Sequence, residues 1–269
     1  MLASLYRYVN LLSLDVAAGA VCSALFFSQL FRIDVLPIGI LSLGLTVWII
    51  YTCDHLLDAR KVKAKASTRR HLFHQVNYRW LVRIVCVAIV ADGIIIIFIR
   101  RPVFIAGLFL AAAVGVYLLV HRYAPFFKEM FIAALYTLGV LLPSLTLTEL
   151  TWRQWPVVLM VQFALTALLN LLVFSWFDRE RDARDGSVSF VTLTGERCSR
   201  FCILVLSAAV FLLIPFAAPA GAAYVVTAMN AILLIIFLMP GFFARNDRFR
   251  LLGDAVFFIP LTHYLYYYG

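Results

Sequence analysis

The sequence predicts an all-α integral membrane protein, with nine transmembrane helices around a central cavity, the N-terminus cytoplasmic and the C-terminus outside. Three observations carry that expectation. The chain is 64% hydrophobic and only 14% charged over 269 residues, with a mean hydropathy of +0.96, against about half apolar and a quarter charged in a soluble domain. Nine stretches approach the roughly 20 mostly apolar residues that a spanning helix needs: 9–30, 34–53, 81–99, 103–120, 126–147, 155–176, 200–218, 222–243 and 251–268. With the N-terminus and the 54–80, 121–128, 178–200 and 244–250 loops on one side, that side holds 19 of the 23 Lys and Arg, counting Arg83 in the first turn of the 81–99 stretch, and leaves only Arg32, Arg100, Arg101 and Arg153 opposite. The positive-inside rule then makes the basic side cytoplasmic.

The first stretch runs past Cys22 to Phe31 without a short apolar core and small-residue cleavage site, so it is expected to stay as the first helix. It carries Asp15, and the third carries Asp92 beside Gly93. An ionisable residue at membrane depth must face protein or water. Asp92 reads best as a helix-packing hydrogen bond, whereas Asp15 stands evenly between packing and function. The second stretch ends in Asp54-His-Leu-Leu-Asp58-Ala-Arg60, followed by Lys61, Lys63, Lys65, Arg69 and Arg70 and then His71 and His74. Those two histidines lack a third nitrogen or sulfur nearby, so a structural or phosphate-facing role fits them better than zinc. Lys128 opens the fifth stretch at the same membrane face.

The sixth stretch continues Asn170, Phe174, Asp178, Asp182 and Asp185 at spacings of 4, 4, 4 and 3, one stripe on a helix, and Gly186 then breaks it. Asn170 and Phe174, with Tyr51 on the second helix, are read as cavity wall, with interhelical hydrogen bonding an equal alternative for Asn170. Ser187, Ser189, Thr192 and Thr194 are expected in a loop ending at Gly195-Glu-Arg197. In the last three stretches Asp254 sits four residues after Arg250, as in a local ion pair, and the terminal tyrosines suit an outer aromatic belt. The five cysteines are scattered and odd in number, which supports neither a disulfide framework nor a metal cluster.

The chemistry rests on a repeated pattern. Asp178-Arg-Glu-Arg-Asp182-Ala-Arg-Asp185 and the segment beginning at Asp54, 124 residues earlier, both read D-x3-D-A-R. Each places two carboxylates on one helical face, where they repel unless a cation is shared. Hard oxygen ligands select Mg2+, which normally enters such sites with substrate phosphates. The metal ligands are expected to be Asp54, Asp58, Asp178, Asp182 and Asp185, the first four also being catalytic, and the diphosphate-binding cations Arg60, Lys61, Arg69, Arg70, Lys128 and Arg184. An apolar interior beneath a basic rim implies an isoprenyl diphosphate, ionised so that metal and basic groups stabilise the departing diphosphate. The net charge of +9 is accounted for by anionic membrane lipid and an anionic substrate, and needs no nucleic acid. Acids repeated in parallel sense at one face disfavour a transporter built from inverted repeats.

Nine helices with aspartate motifs at the cytoplasmic ends of the second and sixth resemble the UbiA superfamily of intramembrane prenyltransferases, over essentially the whole chain. Asp54 and Asp58 match the last two acids of that family's N-D-x2-D-x3-D motif, while Ile50 and Tyr51 replace its Asn and first Asp. Asp178 and Asp182 match its second motif, Ser189 to Arg197 looks like the loop that follows, and Lys128 resembles its basic residue after the fourth helix, without the usual Y-x3-K spacing from Tyr123. The resemblance implies a single 1–269 domain in a bacterial inner membrane, with loops 54–80 and 178–200 capping the site. It implies Mg2+-dependent transfer of a prenyl group to a lipophilic, aromatic or quinone-type acceptor. The superfamily's membrane terpene cyclases, with reduced acidic motifs, supply the alternative reading, and a non-catalytic lipid-binding protein is the second. Asp15, Asp92, Asn170 and His55 are the candidates to orient or deprotonate an acceptor.

Overall fold

A computed structural model describes residues 2–61, 68–120, 125–186 and 188–268; Lys63 and Lys65 lie outside them, and the side chain of Lys61 is likewise not described. The described residues are helical, with no strand among them. In chain order the helices are α1 (Leu2–Leu11), α2 (Leu14–Leu30), α3 (Pro37–Lys61), α4 (Arg69–Val76), α5 (Tyr78–Ile95), α6 (Arg101–Val120), α7 (Lys128–Leu147), α8 (Val157–Asp185), α9 (Phe190–Thr194), α10 (Glu196–Leu212), α11 (Ala220–Leu238), α12 (Pro240–Phe243), α13 (Arg248–Ala255) and α14 (Pro260–Tyr268). Seven are long and apolar enough to cross a membrane, or eight if α1 and α2 count as one bent span. This is a multi-pass helical membrane protein.

Two of the nine expected spans are broken. Ser13 adopts a left-handed conformation at φ 56°, and the chain turns by 81° between α1 and α2. The last stretch divides into α13, a short 3-10 turn at Val256–Phe258, and α14, which begins at Pro260. Proline has no N–H for the preceding turn and restricts the residue before it, so a helix boundary there follows from the chain itself.

The most buried span is α8, packed against α7, α10 and α11, while α2 packs against α3, α7 and α14. Between them lies the apolar core, in which Phe27, Phe163, Phe257 and Tyr136 meet at ring separations of 5.2 to 6.3 Å, mostly edge to face. A smaller core around Trp48, Leu56, Leu81 and Val85 joins α3 to α5. There Asp92 accepts hydrogen bonds from Ser42 Oγ (2.7 Å) and Thr46 Oγ1 (2.6 Å), the interhelical role expected of it.

Asn170 and Phe174 do not wall an open cavity. Both are buried against α13, where Phe174 meets Phe249 edge to face and a Cβ on Gly253 would stand 2.8 Å from Phe174 Cζ and 3.0 Å from Asn170 Oδ1. The residue opposite Phe174 is therefore glycine for lack of room. Gly253→Ala is expected to destabilise the protein by about 1–3 kcal/mol through overpacking, read as a lowered Tm in detergent, with Phe174→Leu in the same chain restoring part of the loss.

Helix length positions the acidic rows. At 1.5 Å per residue α8 is about 43 Å long and α3 about 37 Å, longer than the roughly 30 Å hydrocarbon core of a bilayer. The charged C-terminal turns of both thus have length to project beyond it. α8 ends as the sequence requires: Gly186, at φ 67°, takes the left-handed C-terminal position that other residues adopt at a cost.

Candidate functional site

The rows from α3 and α8 come to one end of the molecule. Lys128 Nζ, at the first turn of α7, lies 3.6 Å from Asp58 Oδ2 and also interacts electrostatically with Asp54 and, across the gap, with Asp182. From α4, His71 is within electrostatic reach of Asp58 on one row and of Asp178 and Asp185 on the other. One lysine and one histidine are therefore within electrostatic reach of carboxylates that are 124 residues apart in the chain.

The rows are not equivalent. Asp178, 4% exposed, is held by Arg250 from α13 and by Arg181 one turn along (3.1 Å), and Arg181 also donates to Asp247 at 2.8 Å. Burial opposes the charge of Arg250, but Asp178 and Asp254 outweigh it and hold its guanidinium above the ordinary value. Asp182, one turn further, is half-buried and hydrogen-bonds the Ser189 side chain. Ser189 does not belong to a loop: it opens α9, whose first N–H, Phe190 N, donates to Glu129 Oε1 at 2.8 Å. Glu129 is buried, and its Oε2 has no partner. The sequence held no signal for it beyond its place next to Lys128.

The expected diphosphate cations are dispersed. Lys128 is at the rows. Arg69 is exposed and reaches Asp247 at 3.6 Å, Arg60 lies on the surface near Gln75 and Tyr78, and Arg184 turns back onto the Glu180 carbonyl at 3.1 Å. Arg70 belongs to a buried network that sequence reasoning missed. Its Nη2 donates to Asp254 Oδ2 (3.2 Å), Asn10 Oδ1 (3.2 Å) and Asn10 O (3.1 Å), and its Nη1 to His55 Nε2 (3.3 Å). The Asn10 amide donates in turn to Asp15 and to Asp254, the latter at 2.8 Å. Asp254 therefore pairs with Arg70, 184 residues away, instead of with Arg250 as the four-residue spacing suggested. Burial and the neighbouring Arg250 push the Arg70 guanidinium down, against the pull of Asp254 and Asp15. Asp15 is fully buried in this network. Tyr51 sits beside it, its ring 6.3 Å from that of His55.

His74 is sealed within the same region, and its Nδ1 donates to the Arg70 carbonyl at 2.8 Å. Burial lowers its pKa to about 4, and burial likewise lowers that of His71, against the opposing pull of Asp58. A histidine depressed on folding binds its proton more readily when unfolded, so its contribution is present above about pH 6.5 and is lost as pH falls toward 4. The loss attributable to His74 is expected to reach about 3 kcal/mol. Tm measured between pH 7.5 and 4 should fall more steeply for the native chain than for His74→Gln.

Among the described residues no three acidic, imidazole or thiol groups converge to hold a metal by themselves. Two carboxylates per row are nevertheless the donor set that Mg2+ takes when substrate phosphates complete its shell. The rows thus fit a metal that arrives with a phosphate ligand and not a resident one, and Asp178, already engaged by two arginines, is the least suited of the five.

No family matches this sequence, and neither the curated proteins nor the solved structures give a match.

Proposed function

We propose that this protein is a Mg2+-dependent intramembrane enzyme of the UbiA type. In this reading it transfers an isoprenyl group from its diphosphate to a lipophilic, aromatic or quinone-type acceptor, in a bacterial inner membrane with the acidic end cytoplasmic. The observation that supports the reading best is the convergence of both D-x3-D-A-R rows around Lys128 and His71. Stacked like charges at the ends of two separate helices weaken both unless a ligand uses them.

Asp54, Asp58, Asp182 and Asp185 would hold the metal together with the diphosphate oxygens; when bound, it would supply positive charge to the leaving diphosphate. Lys128 provides a fixed cation at the same place and needs no reorganisation as charge develops on the leaving oxygen. Glu129, by holding the N-terminus of α9, keeps Ser189 where it orients Asp182.

The Asn and first Asp of the family motif, replaced here by Ile50 and Tyr51, favour a second reading by their absence, cyclisation of a prenyl diphosphate without an acceptor. Purified protein in detergent with Mg2+ and geranyl, farnesyl or geranylgeranyl diphosphate separates the two. Turnover only on addition of a quinone-type acceptor is the expected result. Hydrocarbon or terpene alcohol formed without acceptor supports the cyclase instead, and the absence of any Mg2+-dependent consumption leaves only the lipid-binding reading.

A further inference from the structure

A basic cleft borders the acidic row of α8 at Asp178. α1, α4, the end of α8 and the start of α13 enclose a cleft of about 70 Å³ into which Arg7, Arg69, Arg70, Arg181 and Arg250 are gathered, with Asp178 and Asp247 as the acids on its wall. A water occupies roughly 10–15 Å³ on this measure, so the cleft has room for the five heavy atoms of a phosphate group. Asp54, Asp58, Asp182 and Lys128 do not line it.

The arginines outnumber the acids, and the acids do not use up their donors. Each guanidinium carries five N–H groups in a planar fork suited to phosphate oxygens. Asp247 takes one from Arg181 at 2.8 Å and only a loose contact from Arg69 at 3.6 Å. Arg70 is 6% exposed, and its Nε has no partner. A desolvated N–H left without an acceptor is costly and rare in folded chains, and here it belongs to a side chain on the wall of the cleft.

The position of α1 places the opening. The 81° turn at Ser13 carries α1 across the direction of α2, and Tyr6 Oη fastens it to α13 by donating to the Leu251 carbonyl at 3.0 Å. Leu5 and Tyr8 are exposed on it, as suits a helix lying in a headgroup layer with its charged residue at the surface. Arg7 on α1 and Arg69 on α4 thus stand at the rim, and Arg70 and Arg250 at the floor.

We propose that this cleft binds a phosphate group, as inorganic phosphate or as the phosphomonoester headgroup of a membrane lipid, separately from the chemistry assigned to the acidic rows. The test is modification of the native protein in maltoside micelles by phenylglyoxal, with Arg7 and Arg69 followed by mass spectrometry. Inorganic phosphate and phosphatidic acid are each titrated, without Mg2+, with diacylglycerol as the uncharged control. One of the two anions is expected to slow modification of both arginines saturably, by about tenfold. Phosphatidic acid acting at the lower concentration identifies a lipid headgroup, and inorganic phosphate acting as well or better identifies a soluble phosphate. The protection should persist in the Asp54→Asn, Asp182→Asn double variant and weaken about tenfold for Arg69 in Arg7→Gln. Failure of both anions to protect, or protection that disappears in the double aspartate variant, overturns the proposal; the second result would assign the phosphate to the acidic rows instead.

Discussion

Asp182→Asn is expected to lower kcat/KM for a prenyl diphosphate by about 10²–10³-fold while leaving Tm nearly unchanged. The magnitude is that of removing one preorganised electrostatic contact from a reaction that develops charge, and the selectivity comes from the position of Asp182. It is half-buried, keeps the Ser189 contact as an amide, and is not among the described ion pairs. Asp178→Asn should behave differently. Asp178 is the counter-charge to buried Arg250 and to Arg181, so its loss should lower stability and turnover together. The pair of variants separates a carboxylate that serves a ligand from one that serves the fold. Equal loss of Tm in both, with activity per folded molecule retained, would remove Asp182 from the reaction.

Arg70→Gln is expected to be the most destabilising single substitution at this end of the molecule, at about 3–5 kcal/mol, because it strips the cation from buried Asp254 and Asp15. Much of that loss should come from the stranded charge and not from the missing contact. Arg70→Gln, Asp254→Asn together should therefore be more stable than the sum of the single variants implies, with a coupling of about 1–3 kcal/mol. Denaturant unfolding in detergent of the four proteins of the cycle measures it. Additive losses would mean that the Arg70–Asp254 pair is not what holds α4 against α13.

The candidate site was legible where it depended on spacing within a helix. D-x3-D put Asp54 with Asp58 and Asp178 with Asp182 on shared faces, and α3 and α8 carry them on uninterrupted helices. Lys128 was found because it opens a helix on the same side as both rows. What spacing does not report is which distant side chain answers a given charge. Arg250 and Asp254, four residues apart, suggested one another, yet α13 sends Arg250 to Asp178 and Asp254 to Arg70. Asn10 showed no periodic signal and joins Asp15 to Asp254 only because α1 turns back at Ser13.

The sequence by itself determined a multi-pass helical membrane protein and its candidate spans, because an apolar run of bilayer length can satisfy its backbone in lipid only as a helix. It also determined that two acidic rows stand at helix ends and where α8 stops, since Gly186 takes the left-handed position there. The tertiary structure alone decided that the first apolar stretch is broken at Ser13, that Asn170 and Phe174 close against Gly253, and which cations meet Asp178 and Asp58. The physical reason is one of range. Helix propensity and hydrophobic length act over neighbouring residues and are written in them, whereas a buried charge is stabilised by whichever partner packing brings within a few ångströms, and that partner is set by the arrangement of helices far apart in the chain.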